Sequence, residues 1–256
     1  MIVIDINGNF LTKMDCNSRD WFWKLKVLKK AEQRGITHIV STPHFNKEYL
    51  LSNKEHLLEV ISELNENVKK EGINIKILAG HQVLIYEDLV KDYIKNSVLS
   101  LNNNHQYIFI SLPPTDIPLY THRVIFELQM IGLKPIIVLP ERNTAIVENP
   151  NLLYQLVWKG AFTQVGAASI TGEFGKKTQK LALQFIAQQL THFIATDEDE
   201  YDDLIQSYKK IHHKFGADTR YKMLENAKKL ADNRMVTGEE PVKLKRKKWW
   251  NMGTSL

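Results

Sequence analysis

Two short amides follow the first β-branched run of the chain. Residues 2–6 read as a buried strand, and Asn7 and Asn9 come directly after it. An amide oxygen can coordinate magnesium or calcium, but it is a weak ligand for manganese, iron or zinc. The pair therefore stands where a barrel enzyme would hold its first metal ligands, with residue types that weaken that chemistry.

Other side chains able to bind metal or phosphate follow the later strands. Side chains at the carboxyl ends of successive βα strands converge on one face, so residues at these ends are the candidates for function. In chain order they are Asp15 and Cys16, then His44, His81, Gln82, Ser111, Leu139, Arg142, Asp197 and Asp199.

The elements that must position these residues alternate in type. The apolar patterns predict seven strands, at 2–6, 37–42, 73–78, 107–111, 135–139, 161–165 and 192–196. Amphipathic helices are predicted at about 21–35, 57–72, 120–132, 150–160 and 176–190, most of them ended by glycine. Two more helices are predicted at 201–213 and 218–231. This rhythm favours an α/β fold, a (βα)7 barrel with extra carboxyl-terminal helices, over an open doubly wound sheet.

Several separate motifs occur in an order that resembles a known family. They lie at residues 35–44, 132–137 with 140–143, 148–150, 174–177 and 192–197. Together they resemble the PHP family, named for polymerase and histidinol phosphatase, nearly end to end. Within that family the resemblance is to the manganese-dependent protein-tyrosine phosphatases of Gram-positive capsule and exopolysaccharide loci. It implies a distorted, TIM-like PHP barrel.

The resemblance also implies a catalytic metal cluster, most of whose ligands are replaced here. In active relatives, imidazoles and carboxylates are expected to hold divalent metals, and a metal-bound hydroxide attacks the phosphotyrosine phosphorus. His44, Asp15, Asp197 and the phosphate-binding Arg142 match the family pattern. The degenerate positions are Asn7, Asn9, Cys16, Gln82, Ser111, Leu139 and Asp199, and a family arginine aligns with Leu204.

This ligand set predicts either no cofactor or one weakly bound divalent cation, where active relatives use manganese. His44, Asp15, Asp197 and Asp199 are the candidate ligands of such a cation. Each has a second interpretation: His44 could hydrogen-bond across its loop, and Asp197 and Asp199 could belong to a solvated acidic run. Arg142 could pair with Glu141 or Asp15 instead of a phosphate.

Three further features allow a structural or a binding role. His81 is expected to line the mouth of the site or lie in the core, and Cys16 to be a small packed thiol. Core packing is expected to explain two of Trp21, Phe22 and Trp23, while the third is exposed near the rim for a partner contact.

Positive charge is concentrated at the carboxyl terminus. The formal net charge is +5, and the five basic residues after position 242 account for all of it: Lys243, Lys245, Arg246, Lys247 and Lys248. A balanced body argues against nucleic-acid binding. Residues 237–256 are expected to form a flexible basic-aromatic tail after a barrel domain at 1–236. With Trp249 and Trp250, that tail either contacts an anionic membrane surface or only aids solubility.

The chain is therefore expected to be cytoplasmic, with peripheral association at the inner face of the membrane, since it has one cysteine, no signal peptide and no membrane-spanning run. The preferred function is that of a catalytically impaired phosphatase homologue. It would regulate or bind a bacterial tyrosine kinase or a polysaccharide export or polymerase assembly, and an oligomer is left open. The alternatives are an active manganese-dependent protein-tyrosine phosphatase and a purely structural subunit.

Overall fold

The structure is a computed structural model. It describes residues 2–8, 11, 21–46, 53–196 and 201–244.

Eight parallel strands form the centre of the molecule. They are β1 (Val3–Gly8), β2 (Ile36–Ser41), β3 (Lys76–Ala79), β4 (Gln82–Leu84), β5 (Tyr107–Ser111), β6 (Lys134–Val138), β7 (Phe162–Gly166) and β8 (Phe193–Ala195). Two sheets result, ordered β1-β2-β3 and β4-β5-β6-β7-β8.

One strand position is split between the two sheets. β3 ends at Ala79 and β4 begins at Gln82, so a break of two residues lets one stretch of chain pair with β2 on one side and β5 on the other. β1 also lies beside β8, which brings the first and last strands together. The eight strands thus occupy seven positions around a barrel, as the βα rhythm predicts.

Helices surround the barrel and continue beyond its last strand. They are α1 (Trp21–Gln33), α2 (Lys54–Lys70), α3 (Leu89–Ile94), α4 (Thr121–Met130), α5 (Thr144–Glu148), α6 (Asn151–Trp158), α7 (Ala167–Thr171), α8 (Gly175–Ala187), α9 (Tyr201–Phe215) and α10 (Ala217–Ala231). Short 3-10 helices lie at Leu101–Asn103 and Pro140–Arg142.

The longest helix illustrates how the pattern of apolar residues determines packing. In α2, Leu57, Ile61, Leu64 and Val68 recur at helical spacing and are all buried. The Asn53 side chain caps the amino end by accepting a hydrogen bond from the His56 amide at 2.8 Å. The helix therefore covers the barrel with one apolar face.

The two ends of the barrel differ in how they are closed. At the amino-terminal end of the strands, Ala227 and Leu230 of α10 pack into the core cluster that fills the barrel, together with Val236. The Tyr107 hydroxyl donates to the Arg234 carbonyl at 3.0 Å and accepts from the Val236 amide at 2.9 Å. Because α10 and the chain after it seal this end, the opposite end is the one where side chains can meet a substrate.

Expectation and structure differ in a few places. The predicted strand 107–111 matches β5, and the other predicted strands overlap observed ones with shifted ends. β4 was not predicted, because its residues were interpreted as a loop after the third strand. No helix in the described ranges is long and apolar enough to cross a membrane.

Candidate functional site

Asn7 lies at the centre of the candidate site, at the carboxyl end of β1. Its side chain is almost fully buried, and its Nδ2 donates to Gln164 Oε1 at 3.0 Å and to Gln82 Oε1 at 3.3 Å. Its Oδ1 accepts a hydrogen bond from the Thr42 hydroxyl. We call Asn7, Thr42, Gln82 and Gln164 the amide network. The network links β1, β4 and β7 with the end of β2 across the mouth of the barrel.

The amide network consists entirely of uncharged groups that satisfy one another. Both hydrogens of the Asn7 amide and its oxygen are used within the network, as burial of polar groups requires. A cation at this place would have to displace those hydrogen bonds and would meet neutral oxygens, which manganese, iron and zinc bind poorly. The residue types around Asn7 therefore do not suit a multinuclear metal centre.

A buried carboxylate lies on the same strand as Asn7. Asp5 Oδ1 accepts from the Thr196 amide at 3.0 Å and from the Asn7 amide at 3.3 Å, while Oδ2 accepts from the Thr196 hydroxyl. These bonds hold the end of β8 against β1. Asp5 was not singled out from the sequence, although an aspartate between two isoleucines in a buried strand is a signal of a satisfied polar group.

Arg142 lies at the carboxyl end of β6, on the 3-10 helix that follows Leu139. Leu139 has a left-handed backbone with φ of 51°, which turns the chain sharply after the strand. The Arg142 guanidinium lies 3.8 Å from the centre of the exposed Phe174 ring, and its Nε donates to Ser169 Oγ at 3.4 Å. Such a stacked guanidinium keeps donors for an anion.

Glu141, beside Arg142, is buried and anchors the same turn. Its Oε1 accepts from the Gly166 amide at 2.9 Å. Burial raises the pKa of Glu141, and the Gly166 hydrogen bond partly opposes that rise. Gly166 itself lies close to the arginine, since a methyl group built there would lie 2.9 Å from Arg142 Nη2.

Of the two histidines predicted near the mouth, one is exposed and one is buried. His44 is exposed and forms an isolated parallel bridge with Gln82, which places its backbone beside the amide network. His81 is buried, and its Nδ1 accepts from the Leu99 amide at 3.0 Å. His81 therefore holds the chain after Val98 in place and does not face the site.

Ser111 and Leu139 lie at strand ends as expected. Ser111 ends β5, and its carbonyl accepts from the Ile85 amide at 3.0 Å. The Leu139 side chain packs against the core cluster inside the barrel, so an apolar group occupies this ligand position. Leu204, where relatives are expected to carry an arginine, is fully buried in α9.

Five predicted positions lie outside the described residues: Asn9, Asp15, Cys16, Asp197 and Asp199. Among the residues that are described, no group of three or more His, Cys, Asp or Glu side chains could hold a metal ion. Gln164 was missed by the sequence reasoning, because it lies within a strand and an amide is not a typical catalytic residue.

The aromatic triplet at the start of α1 differs from the expectation. Trp21 packs against the core, whereas Phe22 and Trp23 are both exposed. One aromatic side chain, not two, is therefore explained by packing. Trp249 and Trp250 lie beyond the described residues.

Comparison with known proteins shows the relationship of the whole chain. Residues 3–232 match the family model for capsular polysaccharide synthesis, CpsB/CapC. The chain is 33% identical to the tyrosine-protein phosphatase YwqE of Bacillus subtilis, over 96% of this chain and 98% of that protein. It is 23% identical to the tyrosine-protein phosphatase CpsB of Streptococcus pneumoniae, over 91% of this chain and all of that one.

A solved structure agrees with these matches. It comes from work on YwqE of Bacillus subtilis and CpsB of Streptococcus pneumoniae, described as unique metal-dependent tyrosine phosphatases. The superposition has a TM-score of 0.87 at 33% identity and covers 95% of this chain and 100% of that one. The predicted α/β barrel class is confirmed, as is the resemblance that predicted it. The chain belongs to the CpsB/CapC family of capsular polysaccharide synthesis proteins.

Proposed function

We propose that this protein is a catalytically impaired member of its phosphatase family that keeps a binding or regulatory role in tyrosine-kinase-controlled capsule or exopolysaccharide synthesis. The observation that carries the proposal is the amide network. Asn7 hydrogen-bonds to Thr42, Gln82 and Gln164 at the place where a metal-dependent relative needs charged ligands.

Charge is the physical reason for the expected loss of activity. Metal-assisted hydrolysis needs cations that lower the pKa of a water and stabilise the charge that develops on phosphoryl oxygens. Two adjacent divalent cations repel each other strongly, and bridging carboxylates offset that repulsion. Gln82 and Ser111 stand where the family resemblance implies such carboxylates, and neither side chain is ionised.

The site keeps a group suited to anion recognition. Arg142 is half-buried, stacked on Phe174 and hydrogen-bonded to Ser169, so its guanidinium is held in place before any ligand arrives. A planar guanidinium can donate two hydrogen bonds to a phosphoryl group. We propose that Arg142, with the loop that carries His44, binds phosphotyrosine at millimolar dissociation constants.

An active metal-dependent tyrosine phosphatase is the second candidate. The named activities of the relatives favour it, because YwqE is 33% identical over nearly the whole chain. In that case His44, Asp15, Asp197 and Asp199 would hold a single divalent cation, and Arg142 would bind the phosphate. The proposed partner is the same for both candidates: a bacterial tyrosine kinase or the polysaccharide export machinery that it controls.

Metal analysis combined with turnover separates the two candidates. Purified protein, dialysed against manganese and then against buffer, is expected to contain much less than one transition-metal ion per chain by mass spectrometry. Under the same conditions it should hydrolyse phosphotyrosine peptide no faster than buffer, with YwqE as the positive control.

Two or more bound manganese or iron ions per chain, with turnover abolished by His44→Ala, would establish the active enzyme instead. The anion site has its own test in Arg142→Ala. Micromolar phosphotyrosine binding that survives this substitution would show that the ligand is bound elsewhere.

A further inference from the structure

A second pocket lies at the amino-terminal end of the barrel, at the opposite end of the strands from the amide network. Its volume is about 280 Å³. The end of α8, residues 191–192 before β8, one face of α10 and residues 237–239 form its walls. The pocket is thus built from rigid elements on three sides and from the strap, residues 232–244, on the fourth.

The buried end of the pocket carries hydrogen-bond donors. His192 is 5% exposed, and its Nδ1 accepts from the Thr163 amide at 3.1 Å. Nδ1 is therefore unprotonated, burial lowers the pKa of His192 to about 4, and at neutral pH the single ring proton is on Nε2. That atom is directed at the strap, since a methyl group built on Gly238 would lie 2.8 Å from it.

Thr191 adds an unsatisfied hydroxyl to the same end. The residue is 8% exposed, it lines the pocket, and its Oγ1 makes no hydrogen bond within the described part of the chain. A buried hydroxyl without a partner costs about 1–3 kcal/mol, so such groups commonly mark the position of a bound molecule. This hydroxyl is independent of the cavity shape as an indication that the pocket takes a ligand.

The open end of the pocket is charged but balanced. Lys229 pairs with Glu225 at 3.3 Å, and Lys222 pairs with Glu239. Two ammonium and two carboxylate groups line the pocket, so an anion would meet two glutamates and a cation would meet two lysines. Ile186 and Met223 supply buried apolar walls between the two ends.

We propose that this pocket is a binding site for a small zwitterion, an α-amino acid with an aliphatic side chain. Its carboxylate accepts hydrogen bonds from His192 Nε2 and the Thr191 hydroxyl. Its ammonium group lies toward Glu225 and Glu239, and its side chain packs on Ile186 and Met223. Because Gly238 and Glu239 belong to the strap, an occupied pocket also fastens the strap to the barrel.

The site can be tested by titration of the full chain. Glycine, L-valine and L-leucine are added up to about 10 mM, which would fill a site with a millimolar dissociation constant. Binding is followed by the rise in thermal midpoint and by calorimetry. Valine and leucine are expected to bind, whereas isobutyrate, isobutylamine and glycerol, which lack one or both charges, are not.

Two variants locate the binding. Thr191→Val removes the hydroxyl at nearly constant volume and should weaken valine binding about tenfold, the effect of one lost hydrogen bond, while Thr191→Ser keeps the affinity. Gly238→Ala places a methyl group against His192 Nε2 and should abolish binding. Its backbone lies outside the left-handed region, so the change adds no backbone strain.

Three outcomes would overturn the proposal. The first is no binding of any amino acid to the wild-type chain. The second is equal binding of valine to the wild type, Thr191→Val and Gly238→Ala. The third is binding of isobutyrate or glycerol as tight as that of valine, which would replace the zwitterion by an anion or a polyol. None of these results depends on phosphatase activity, because the pocket and the amide network lie at opposite ends of the barrel.

Discussion

At the scale of single residues, Asn7 shows how a catalytic position can become a structural one. Its amide is bound on three sides by uncharged partners, so the strand ends that would surround metal ions are tied directly to one another. A residue at such a position stabilises the fold only while all its partners are present. The same side chain that weakens the case for catalysis should therefore be important for stability.

Replacing Asn7 tests that stability role. Asn7→Ala leaves the buried amide groups of Gln164 and the hydroxyl of Thr42 without a partner, which should lower the free energy of unfolding by about 1–3 kcal/mol. Urea titration measures the change. Asn74→Ala, at an exposed asparagine, is the control and should have little effect. An unchanged midpoint for Asn7→Ala would show that the network contributes nothing to stability.

His192 makes a second prediction at this scale. Its pKa is lowered from 6.5 to about 4 by burial, so the folded state resists protonation that the unfolded chain accepts. Its contribution is fully present above pH 6.5 and is lost as the pH falls toward about 4, up to about 3 kcal/mol. Asn offers an acceptor in place of Nδ1 and does not titrate, so urea titrations of His192→Asn should show a flatter pH dependence than wild type. Parallel curves for the two proteins would contradict the assignment.

At the scale of elements, the ends of β6 and β7 are fitted closely around Arg142. Gly166 ends β7, and a methyl group there would lie 2.9 Å from Arg142 Nη2, 3.0 Å from Leu139 Cδ2 and 3.2 Å from Glu141 Oε1. Three side chains of the turn after β6 thus depend on the absence of one side chain on the next strand.

Gly166→Ala should therefore displace the turn. We expect a loss of about 1–3 kcal/mol in the free energy of unfolding, typical of overpacking, and weaker binding of phosphate at Arg142. Gly80→Ala is a matched control, because the nearest atom to its methyl group would be at an ordinary 3.6 Å. Urea titration and phosphate titration by NMR would measure both effects. Equal results for the two variants would mean that the turn adapts without cost.

The sequence predicts strands and helices better than it predicts contacts between them. β5 was predicted in full, because Tyr107 to Ser111 is an apolar run with clear ends. β4 was missed, because a strand of three residues after Gly80 and His81 carries too little pattern to be distinguished from a loop. The ligand positions of the site follow from family resemblance, whereas Gln164 as a partner of Asn7 depends on three-dimensional packing that no local pattern encodes.

At the scale of the whole molecule, charge separates the barrel from its carboxyl-terminal tail. Residues 1–242 carry no net formal charge, and the following segment carries all five excess positive charges. Each basic residue near an anionic leaflet contributes about 1 kcal/mol, and tryptophan favours the headgroup region. The tail, not the barrel, is therefore the proposed membrane-binding part.

Sedimentation with phosphatidylserine vesicles tests this division. The full chain should pellet at low salt and be released as the screening length falls from about 10 Å at 0.1 M to about 3 Å at 1 M. A chain that ends at Val242 should stay in the supernatant. Equal pelleting of both proteins would assign the membrane contact to the barrel, and pelleting of neither would leave the tail as a solubilising or protein-docking segment.

The contact between Asp5 and Thr196 also bears on the order in which the chain acquires its structure. It joins positions 191 residues apart and fastens the first strand to the last. On a ribosome, β1 is made long before β8, so β1 must wait for most of the chain before its second neighbour arrives. Contacts of such long range form late and slowly. During synthesis, the edge of β1 that later faces β8 is therefore open to wrong strand partners, and its protection falls to chaperones.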